Sequence, residues 1–171
     1  MDKIAKFEKV SFNEFKKTWT KQMGEFPEEK IQEIYDNIQL PKRATSGSAG
    51  YDFRSPISFS LDAGSELMLP TGIRARFSPD YALIVAPKSG LGSKFRLQLN
   101  NTFGLIDSDY YNSDNEGHIL CKLINDGREG KQVTLESGAG FVQGFFVKIG
   151  ITEDDEADGV RNGGFGSTAN K

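Results

Sequence analysis

The sequence predicts an all-β sandwich or barrel with helices at its N-terminal end, and a change of pattern along the chain supports this. From residue 44 onward many short runs alternate apolar with polar residues, as residues 73–77 do, and Gly, Pro or charged residues separate them. Short strands with such turn signals are typical of sandwiches and barrels. Before residue 40 the apolar residues recur at helical spacing instead. No internal repeat or long linker divides the 171 residues, so we expect one domain over 1–171.

The helical pattern predicts a hairpin of two helices over residues 11–38. Ser11 and Glu14 have the spacing of a capping box, in which each side chain binds the backbone N–H of the other residue. Gly24 ends the first helical stretch, and Pro27 opens the second. The hairpin either packs on the domain, which is the simpler interpretation, or offers a surface to a protein partner.

Composition limits the possible functions. The net charge of −3 gives no basic footprint for nucleic acid, so any phosphate binding must be local. Cys121 is the only cysteine, and its apolar neighbours predict a small buried core residue. The charged N-terminus does not resemble a signal peptide, and no apolar run reaches membrane-spanning length. We therefore expect a soluble cytoplasmic protein that does not bind membranes.

The densest candidate site is the run from Gly104 to Tyr110, which contains Asp107 and Asp109. A strand that turns sharply here could project Asp107 and Tyr110 into one pocket. A base for water and an aromatic wall would then lie together, as hydrolysis of a group attached to a flat ring requires. Acidic turns with a tyrosine are common, however, so the run alone leaves an ordinary surface turn open.

Two further stretches suit phosphate groups. The turn at 87–91 carries Lys88, Ser89 and Gly90, which could offer a charge, a hydroxyl and successive N–H groups, although its spacing is not that of a Walker loop. The glycine-rich tail at 161–168 could approach a ligand closely or could simply be disordered. The acidic residues 152–160 before it predict a flexible connector, so that 152–171 form a connector and arm.

Taken together, these stretches resemble the homotrimeric dUTPase family, whose five short motifs occur in this order and near these spacings. The matching stretches are 49–53, 87–91, 104–110, 138–143 and 163–168. The resemblance implies a jelly-roll-like β subunit in a homotrimer with three shared active sites. It also implies Mg²⁺-dependent hydrolysis of dUTP to dUMP and pyrophosphate, which keeps uracil out of DNA and supplies dUMP for thymidylate synthesis. The C-terminal arm would close over a neighbour's nucleotide.

The resemblance also implies roles at the nucleoside end of the substrate. Asp107 would be the general base that activates water for in-line attack on the α-phosphorus. Tyr110 would pack against deoxyribose and leave no room for a 2′-hydroxyl. Asn101 would pair with the uracil edge, with the backbone of Gly104 and Ile106 completing a slot too narrow for thymine.

Other matching residues would hold the phosphates and the metal. Lys88, Ser89 and Gly90 would bind the α/β-phosphate region, and Gln143 would reach the terminal phosphates. Asp52 would hold Mg²⁺ indirectly, through water, because this ion keeps several of its waters. From the tail, the residues that would cover the uracil or contact the γ-phosphate are Arg161, Phe165, Gly166, Ser167 and Thr168.

The chain departs from the family pattern at several points. Lys88 stands where many members carry Arg, and Gly140 stands where the fourth motif usually has Arg. Arg161 lies one residue closer to Gly-Phe-Gly than the usual tail Arg. The hairpin at 11–38 has no counterpart in the plainest members, which suggests a phage-type or related bacterial variant and, if phage-encoded, a host-cytoplasmic location. None of these changes alters Asp107, so we expect catalysis to survive.

Two other functions remain open. A dCTP deaminase shares the fold and the triphosphate grip, but it lacks the Gly-Phe-Gly-Ser-Thr arm. A non-catalytic regulatory protein could keep the nucleotide site as a switch and use the hairpin as its partner surface. A His-rich zinc hydrolase is not indicated, because His118 is the only histidine. We expect His118 to be an ordinary strand or turn residue.

Overall fold

β-Strands make up most of the regular structure in the computed structural model, which describes residues 2–161 and 163. In the N-terminal half the elements are β1 (Ala5–Lys9), α1 (Phe12–Met23), α2 (Glu28–Asp36), β2 (Lys42–Arg43), β3 (Tyr51–Arg54), β4 (Phe59–Leu61), β5 (Glu66–Pro70), β6 (Ile73–Phe77) and β7 (Tyr81–Pro87). The remaining elements are α3 (Ser89–Phe95), β8 (Leu97–Leu99), β9 (Gly104–Ile106), a 3-10 turn (Ser108–Asn112), β10 (Leu120–Asn125), β11 (Val133–Leu135) and β12 (Gly140–Lys148).

The strands form antiparallel sheets around one hydrophobic core. The largest sheet has the order β2-β3-β12-β7-β9, and a second has the order β5-β10-β8. β1 pairs with β6, and β4 pairs with β11. The core cluster includes Phe53, Leu83, Leu123 and Phe141 from different strands, each nearly inaccessible to solvent. The predicted all-β, jelly-roll-like subunit with N-terminal helices is confirmed.

The two helices pack directly on this core. Phe15, Trp19 and Ile31 on their inner faces are each 1% exposed or less. The chain just after α2 approaches the turn between β5 and β6 so closely that a Cβ on Gly72 would lie 2.3 Å from the Cδ1 of Ile38. Gly72 also has a φ of +70°, so both the space and the backbone conformation at this contact require glycine.

The predicted capping box at Ser11 is only half correct. The backbone N–H of Glu14 donates to the Ser11 hydroxyl (3.2 Å), as expected for an N-cap. The reciprocal bond is not made by Glu14, because the N–H of Ser11 donates to the carboxylate of Glu116 (2.7 Å). Glu14 is instead buried and accepts a hydrogen bond from the Thr18 hydroxyl (2.6 Å). A carboxylate from a distant loop therefore replaces the local one.

Other features agree with the sequence. Cys121 is buried in β10, and burial raises the pKa of its thiol to about 12, so it is an inert core residue. In the described residues, no helix combines the length and the apolar character needed to cross a bilayer. The stretch 152–160 is exposed and forms no helix or strand.

Candidate active site

A pocket of about 420 Å³ opens beside β9 and collects the residues predicted to bind the nucleoside. Its lining includes Asn101, Gly104, Ile106, Asp107, Tyr110 and Arg161. Asp107 and Tyr110, which the sequence suggested could share one pocket, both line its wall. The pocket also borders Cys121 and neighbouring parts of β5 and β10, which give it an apolar floor.

The local fold explains how Asp107 and Tyr110 come together. β9 pairs with β7, with Gly104 opposite Val85, and the chain turns immediately after Ile106. Asp107 has an extended backbone and precedes the 3-10 turn, in which the N–H of Tyr110 donates to the carbonyl of Asp107 (3.2 Å). We call residues 107–112 the Asp107 turn.

Tyr110 is fixed by hydrogen bonds from residues that sequence reasoning did not select. Its side chain is 7% exposed, and its hydroxyl donates to the carbonyl of His118 (2.8 Å). The same hydroxyl accepts from the Nδ2 of Asn115 (2.7 Å). Burial raises the pKa of Tyr110, so the residue presents a neutral ring to the pocket. No pattern in the sequence points to Asn115 or to the carbonyl of His118, because both contacts depend on how the loop after the turn folds back.

Arg161 brings the C-terminal segment onto the carboxylates of this turn. Its Nη2 pairs with the Oδ2 of Asp107, and its Nε donates to Asp109 (2.8 Å). The guanidinium thus lies between the two carboxylates of its own chain. The other tail residues predicted to contact substrate, namely Phe165, Gly166, Ser167 and Thr168, lie outside the described residues.

The residues predicted to bind phosphates and metal form a second group, the Lys88 cluster (Lys88, Asp52, Gln143 and Gly140). The ammonium of Lys88 pairs with the Oδ2 of Asp52 at 2.6 Å. Asp52 lies opposite Gln143 in the β3–β12 register. A Cβ on Gly140 would come within 3.1 Å of the Cδ of Lys88, so the glycine leaves room for the lysine side chain. The two departures from the family pattern, Lys88 and Gly140, are therefore neighbours in space.

The sequence suggested that Ser89 and Gly90 lie in a simple turn, but the structure places them in a helix. They open the short helix α3, and Lys88 is its N-cap. The N–H groups of Leu91 and Gly92 donate to the carbonyl of Lys88 (3.0 and 2.9 Å). The first N–H groups of a helix have no acceptor within the helix, so those of Ser89 and Gly90 can bind a ligand from outside it.

Asp107 and the Lys88 cluster lie at different positions along β7. Ile106, just before Asp107, is opposite Leu83 near the start of that strand. Lys88 follows Pro87, the last residue of β7, and Pro87 lies opposite Val142 of β12. Leu83, the partner of Ile106, and Lys88 are five residues apart along this strand direction, roughly 17 Å at about 3.3 Å per residue. One chain therefore does not bring the two groups of predicted residues to a single point.

Comparisons with known proteins identify the family. A family model described as dUTPase matches residues 36–169. The chain is 39% identical over 134 residues to the deoxyuridine 5′-triphosphate nucleotidohydrolase of Lactococcus lactis, a match that covers 77% of this chain and 88% of that protein. It is 36% identical over 146 residues to the enzyme of the same name from Cronobacter sakazakii, with 81% and 91% covered.

Solved structures agree with these relatives. The crystal structure of the dUTPase from Streptococcus mutans aligns with a TM-score of 0.59 and 36% identity, over 67% of this chain and 88% of that one. A mutant of the Staphylococcus bacteriophage 80alpha dUTPase with dUpNHpp aligns with a TM-score of 0.63 over 94% of this chain and 100% of that one, and at 16% identity it shows the fold alone. With four of the motifs in the described residues and relatives matched along most of their length, this chain belongs to the dUTPase family.

Proposed function

We propose that the protein hydrolyses dUTP to dUMP and pyrophosphate, with Asp107 as the base that activates the attacking water. The observation that carries the proposal is the pairing of Asp107 and Tyr110 on one turn at the wall of the pocket. A carboxylate and a neutral ring three residues apart can hold a water molecule and a sugar side by side. Membership of the dUTPase family supplies the substrate.

The pocket residues have distinct tasks in this reaction. The amide of Asn101 and the backbone of Gly104 and Ile106 bind the edge of uracil. The ring of Tyr110 packs against deoxyribose. Because the Tyr110 hydroxyl already donates to the carbonyl of His118 and accepts from Asn115, its proton cannot be donated to a 2′-hydroxyl. The site therefore selects a deoxynucleotide by packing of the Tyr110 ring against the sugar.

The chemical step is a single displacement at phosphorus. Asp107 accepts a proton from the bound water as the water oxygen forms a bond to the α-phosphorus. The bond from that phosphorus to the α,β-bridging oxygen breaks, and pyrophosphate leaves with the bonding electron pair. The negative charge on the leaving group is stabilised by the N–H groups of Ser89 and Gly90, the Lys88 ammonium and Gln143.

The separation of the two groups of residues supports an active site shared between chains. Ile106, just before Asp107, and Lys88 are about 17 Å apart along β7 by the strand rise, whereas the reaction needs Asp107 and Lys88 on one triphosphate. A second copy that places its Lys88 cluster at the mouth of the first copy's pocket resolves this. A homotrimer with three such sites agrees with the family, and the tail residues Phe165, Gly166, Ser167 and Thr168 would complete each of them.

Mg²⁺ fits this arrangement as an ion held mainly by the substrate. The carboxylate of Asp52 is occupied by Lys88 at 2.6 Å, which suits contact with the ion through water rather than direct ligation. Among the described residues there is no group of three or more His, Cys, Asp or Glu side chains that could bind a metal. When bound, the ion would neutralise charge on the phosphates. A structural Mg(II) ion is described for a mutant dUTPase from phage phi11 of S. aureus.

A regulatory role through residues 11–38 stays a prediction. The dUTPase of Staphylococcus bacteriophage 80alpha is described as controlling transfer of virulence genes by a G protein-like mechanism. At 18% identity that likeness shows the fold alone. Because the inner faces of the helices belong to the core, the test is a pull-down with the wild type and with a Phe26→Ser variant of the exposed hairpin surface, and unchanged partners would contradict the prediction. A cytoplasmic location is likewise an expectation.

Pyrophosphate release by the purified protein with Mg²⁺ tests the proposed function. dUTP, dCTP, dTTP and UTP would be offered separately. We expect release from dUTP alone, which requires both the uracil slot and the sugar wall to work. Ammonia from dCTP would indicate a deaminase. Binding of dUTP without turnover would favour the regulatory alternative.

A further inference from the structure

The two consecutive tyrosines of the Asp107 turn face opposite sides of it. Tyr110 lines the pocket, whereas Tyr111 packs towards β1 and β6. The guanidinium of Arg74, in β6, lies 3.6 Å from the centre of the Tyr111 ring. Its Nη2 also donates to the carbonyl of Tyr111 (2.8 Å). One side chain therefore holds both the ring and the backbone of this residue.

The N-terminal strand completes the grip on Tyr111. The Tyr111 hydroxyl donates to the Oε2 of Glu8 at 2.6 Å. Glu8 of β1 lies directly opposite Arg74 in the β1–β6 register, so an acid and a base on neighbouring strands hold the same ring. The hydrogen bond from Lys6, and after it the one from Tyr111, lower the pKa of Glu8 and keep it ionised at neutral pH.

A second connection joins the first helix to the loop after the turn. The N–H and hydroxyl of Ser11, the N-cap of α1, both donate to Glu116 (2.7 and 2.5 Å). Glu116 also lies 3.8 Å from the Nη1 of Arg74. The backbone φ of Glu116 is +56°, which is uncommon for a residue with a side chain, so its contacts must stabilise this conformation.

The loop held in this way presses against the turn. A Cβ on Gly117, the next residue, would lie 2.7 Å from the carbonyl oxygen of Tyr110. One residue further on, the carbonyl of His118 accepts a hydrogen bond from the Tyr110 hydroxyl. Contacts from the N-terminal elements thus reach both tyrosines of the turn, one directly and one through residues 116–118.

We infer that β1 and the N-cap Ser11 (residues 5–11, the N-terminal segment) are a support for the Asp107 turn, and that Arg74, Tyr111 and Glu116 are positioning residues for the reaction. This inference rests on the proposed function and deepens it. The whole segment precedes the part of the chain that the dUTPase family model matches, which begins at residue 36. The support is therefore an addition to the motif residues, and it acts through Asp107, because none of the three positioning residues lines the pocket.

The physical need for such support is plain from the turn itself. It is a 3-10 turn of five residues with poor internal hydrogen bonding, and the side chain of Asp107 is half-exposed. A general base must stay within hydrogen-bond reach of the proton that it accepts. A displacement of about 1 Å can slow a reaction about a hundredfold, so loosening the turn should appear in kcat before it appears in substrate binding.

The first test compares two Tyr→Phe variants. Tyr111→Phe removes only the hydroxyl that binds Glu8. Tyr35→Phe is the matched control, since its hydroxyl donates to the carbonyl of Val10 (2.7 Å) and ties α2 to the N-terminal segment without touching the turn. We expect Tyr111→Phe to lower kcat for dUTP roughly 3- to 10-fold with KM nearly unchanged, a fraction of the loss for a 1 Å displacement. Tyr35→Phe should leave kcat unchanged.

Arg74 offers a stricter version of the same test. Arg74→Lys keeps the charge but loses the planar stack and the fork of donors, so it should lower kcat at least as far as Tyr111→Phe. Both variants would be assayed well below their melting temperatures. Wild-type kcat in both, together with a loss of thermal stability, would show that these residues only hold the fold and would overturn the inference.

Amide hydrogen exchange gives a readout that does not depend on activity. We expect residues 107–113 to exchange faster in Tyr111→Phe than in the wild type or in Tyr35→Phe. Identical exchange in all three proteins would overturn the inference. If the wild-type protein failed to hydrolyse dUTP, the proposed function would fall, and the exchange rates would still decide whether the N-terminal segment supports the turn.

Discussion

Arg161 lies against the carboxylate of Asp107 and reaches Asp109 with its Nε (2.8 Å), within a single chain. The C-terminal segment therefore places a cation where the attacking water would be activated. Phosphate groups attract a guanidinium at least as strongly as carboxylates do, because both form charge-assisted, two-pronged hydrogen bonds with it. We expect a bound triphosphate to draw Arg161 away from Asp107, which frees the base as the substrate arrives.

Asp107→Asn should separate chemistry from binding. The amide preserves size and hydrogen-bonding reach but cannot take a proton from water, so turnover of dUTP should fall at least about a hundredfold. The affinity for a non-hydrolysable dUTP analogue, measured by calorimetry, should stay near that of the wild type. Asp109→Asn is the matched control, since it changes the other carboxylate that Arg161 contacts, and it should retain most of the turnover. Loss of binding together with turnover would mean that Asp107 is a structural residue.

Removal of the arm should slow the reaction without dissociating the assembly. A chain that ends at Gly159 lacks Arg161 and all the predicted tail contacts, while every strand and the whole core of the described residues remain. We expect kcat/KM to fall by about tenfold or more, since a segment that closes the site is missing. Light scattering should give the same assembly mass as for the full chain. A monomeric product would contradict the prediction.

Gly140→Ala should disturb the Lys88 cluster specifically. The new methyl group would lie 3.1 Å from the Cδ of Lys88, so the lysine side chain must shift by a few tenths of an ångström, which disturbs its ion pair with Asp52. We expect a rise in KM for dUTP of roughly 2- to 5-fold, the scale of about 0.5–1 kcal/mol for a weakened partly exposed ion pair. The control Gly47→Ala adds a methyl group where nothing lies within 4 Å. Equal KM values in the two variants would show that Lys88 does not need the space at Gly140.

Features encoded within a few residues could be predicted from the sequence. Ser11 as an N-cap and the turn that brings Asp107 and Tyr110 to one wall both depend on local backbone geometry and on side chains three positions apart. The alternation over Ile73–Phe77 likewise predicted which side chains of β6 are buried. In each case the neighbours that decide the structure lie on the same element.

Contacts between distant parts of the chain could not be predicted. Ser11 binds Glu116 across 105 residues, and the capping-box pattern pointed to Glu14 because only local partners are visible in a sequence. Lys88 and Gly140 looked like separate departures from the family pattern, although one makes room for the other. The spacing of phosphate-binding residues also contained no hint that a helix begins at Ser89.

His118, predicted to be an ordinary strand or turn residue, should make the stability of the protein depend on pH. Its ring is completely buried, and its Nε2 accepts the N–H of Gly72 (2.9 Å), so the neutral ring carries its proton on Nδ1. That atom faces the Oε1 of Glu14 at 3.9 Å. Burial lowers the pKa of His118 to about 4, although the nearby Glu116 carboxylate acts in the opposite direction.

The sign of the effect follows from proton uptake on unfolding. An unfolded histidine has a pKa of about 6.5, so between that pH and about 4 the unfolded chain binds a proton that the folded chain does not. The free energy of unfolding should therefore be retained above pH 6.5 and should fall as the pH drops, by about 2 kcal/mol per chain at pH 5. Because His118 is the only histidine, no other side chain with an ordinary pKa has its titration midpoint between pH 6.5 and 5.

Urea unfolding at pH 7.5, 6.5 and 5 measures this dependence. The matched variant is His118→Gln, whose side-chain oxygen can still accept the N–H of Gly72 but does not titrate. We expect the slope between pH 6.5 and 5 to be largely lost in the variant. Glu116 does not add to the slope in this pH range. Burial opposes its ionisation, but the hydrogen bonds from Ser11 outweigh this effect and hold the pKa of Glu116 below the ordinary value. Its contribution to the free energy of unfolding is therefore lost only at lower pH. The same slope in both proteins would show that His118 is already protonated, or accessible to protons, in the folded state.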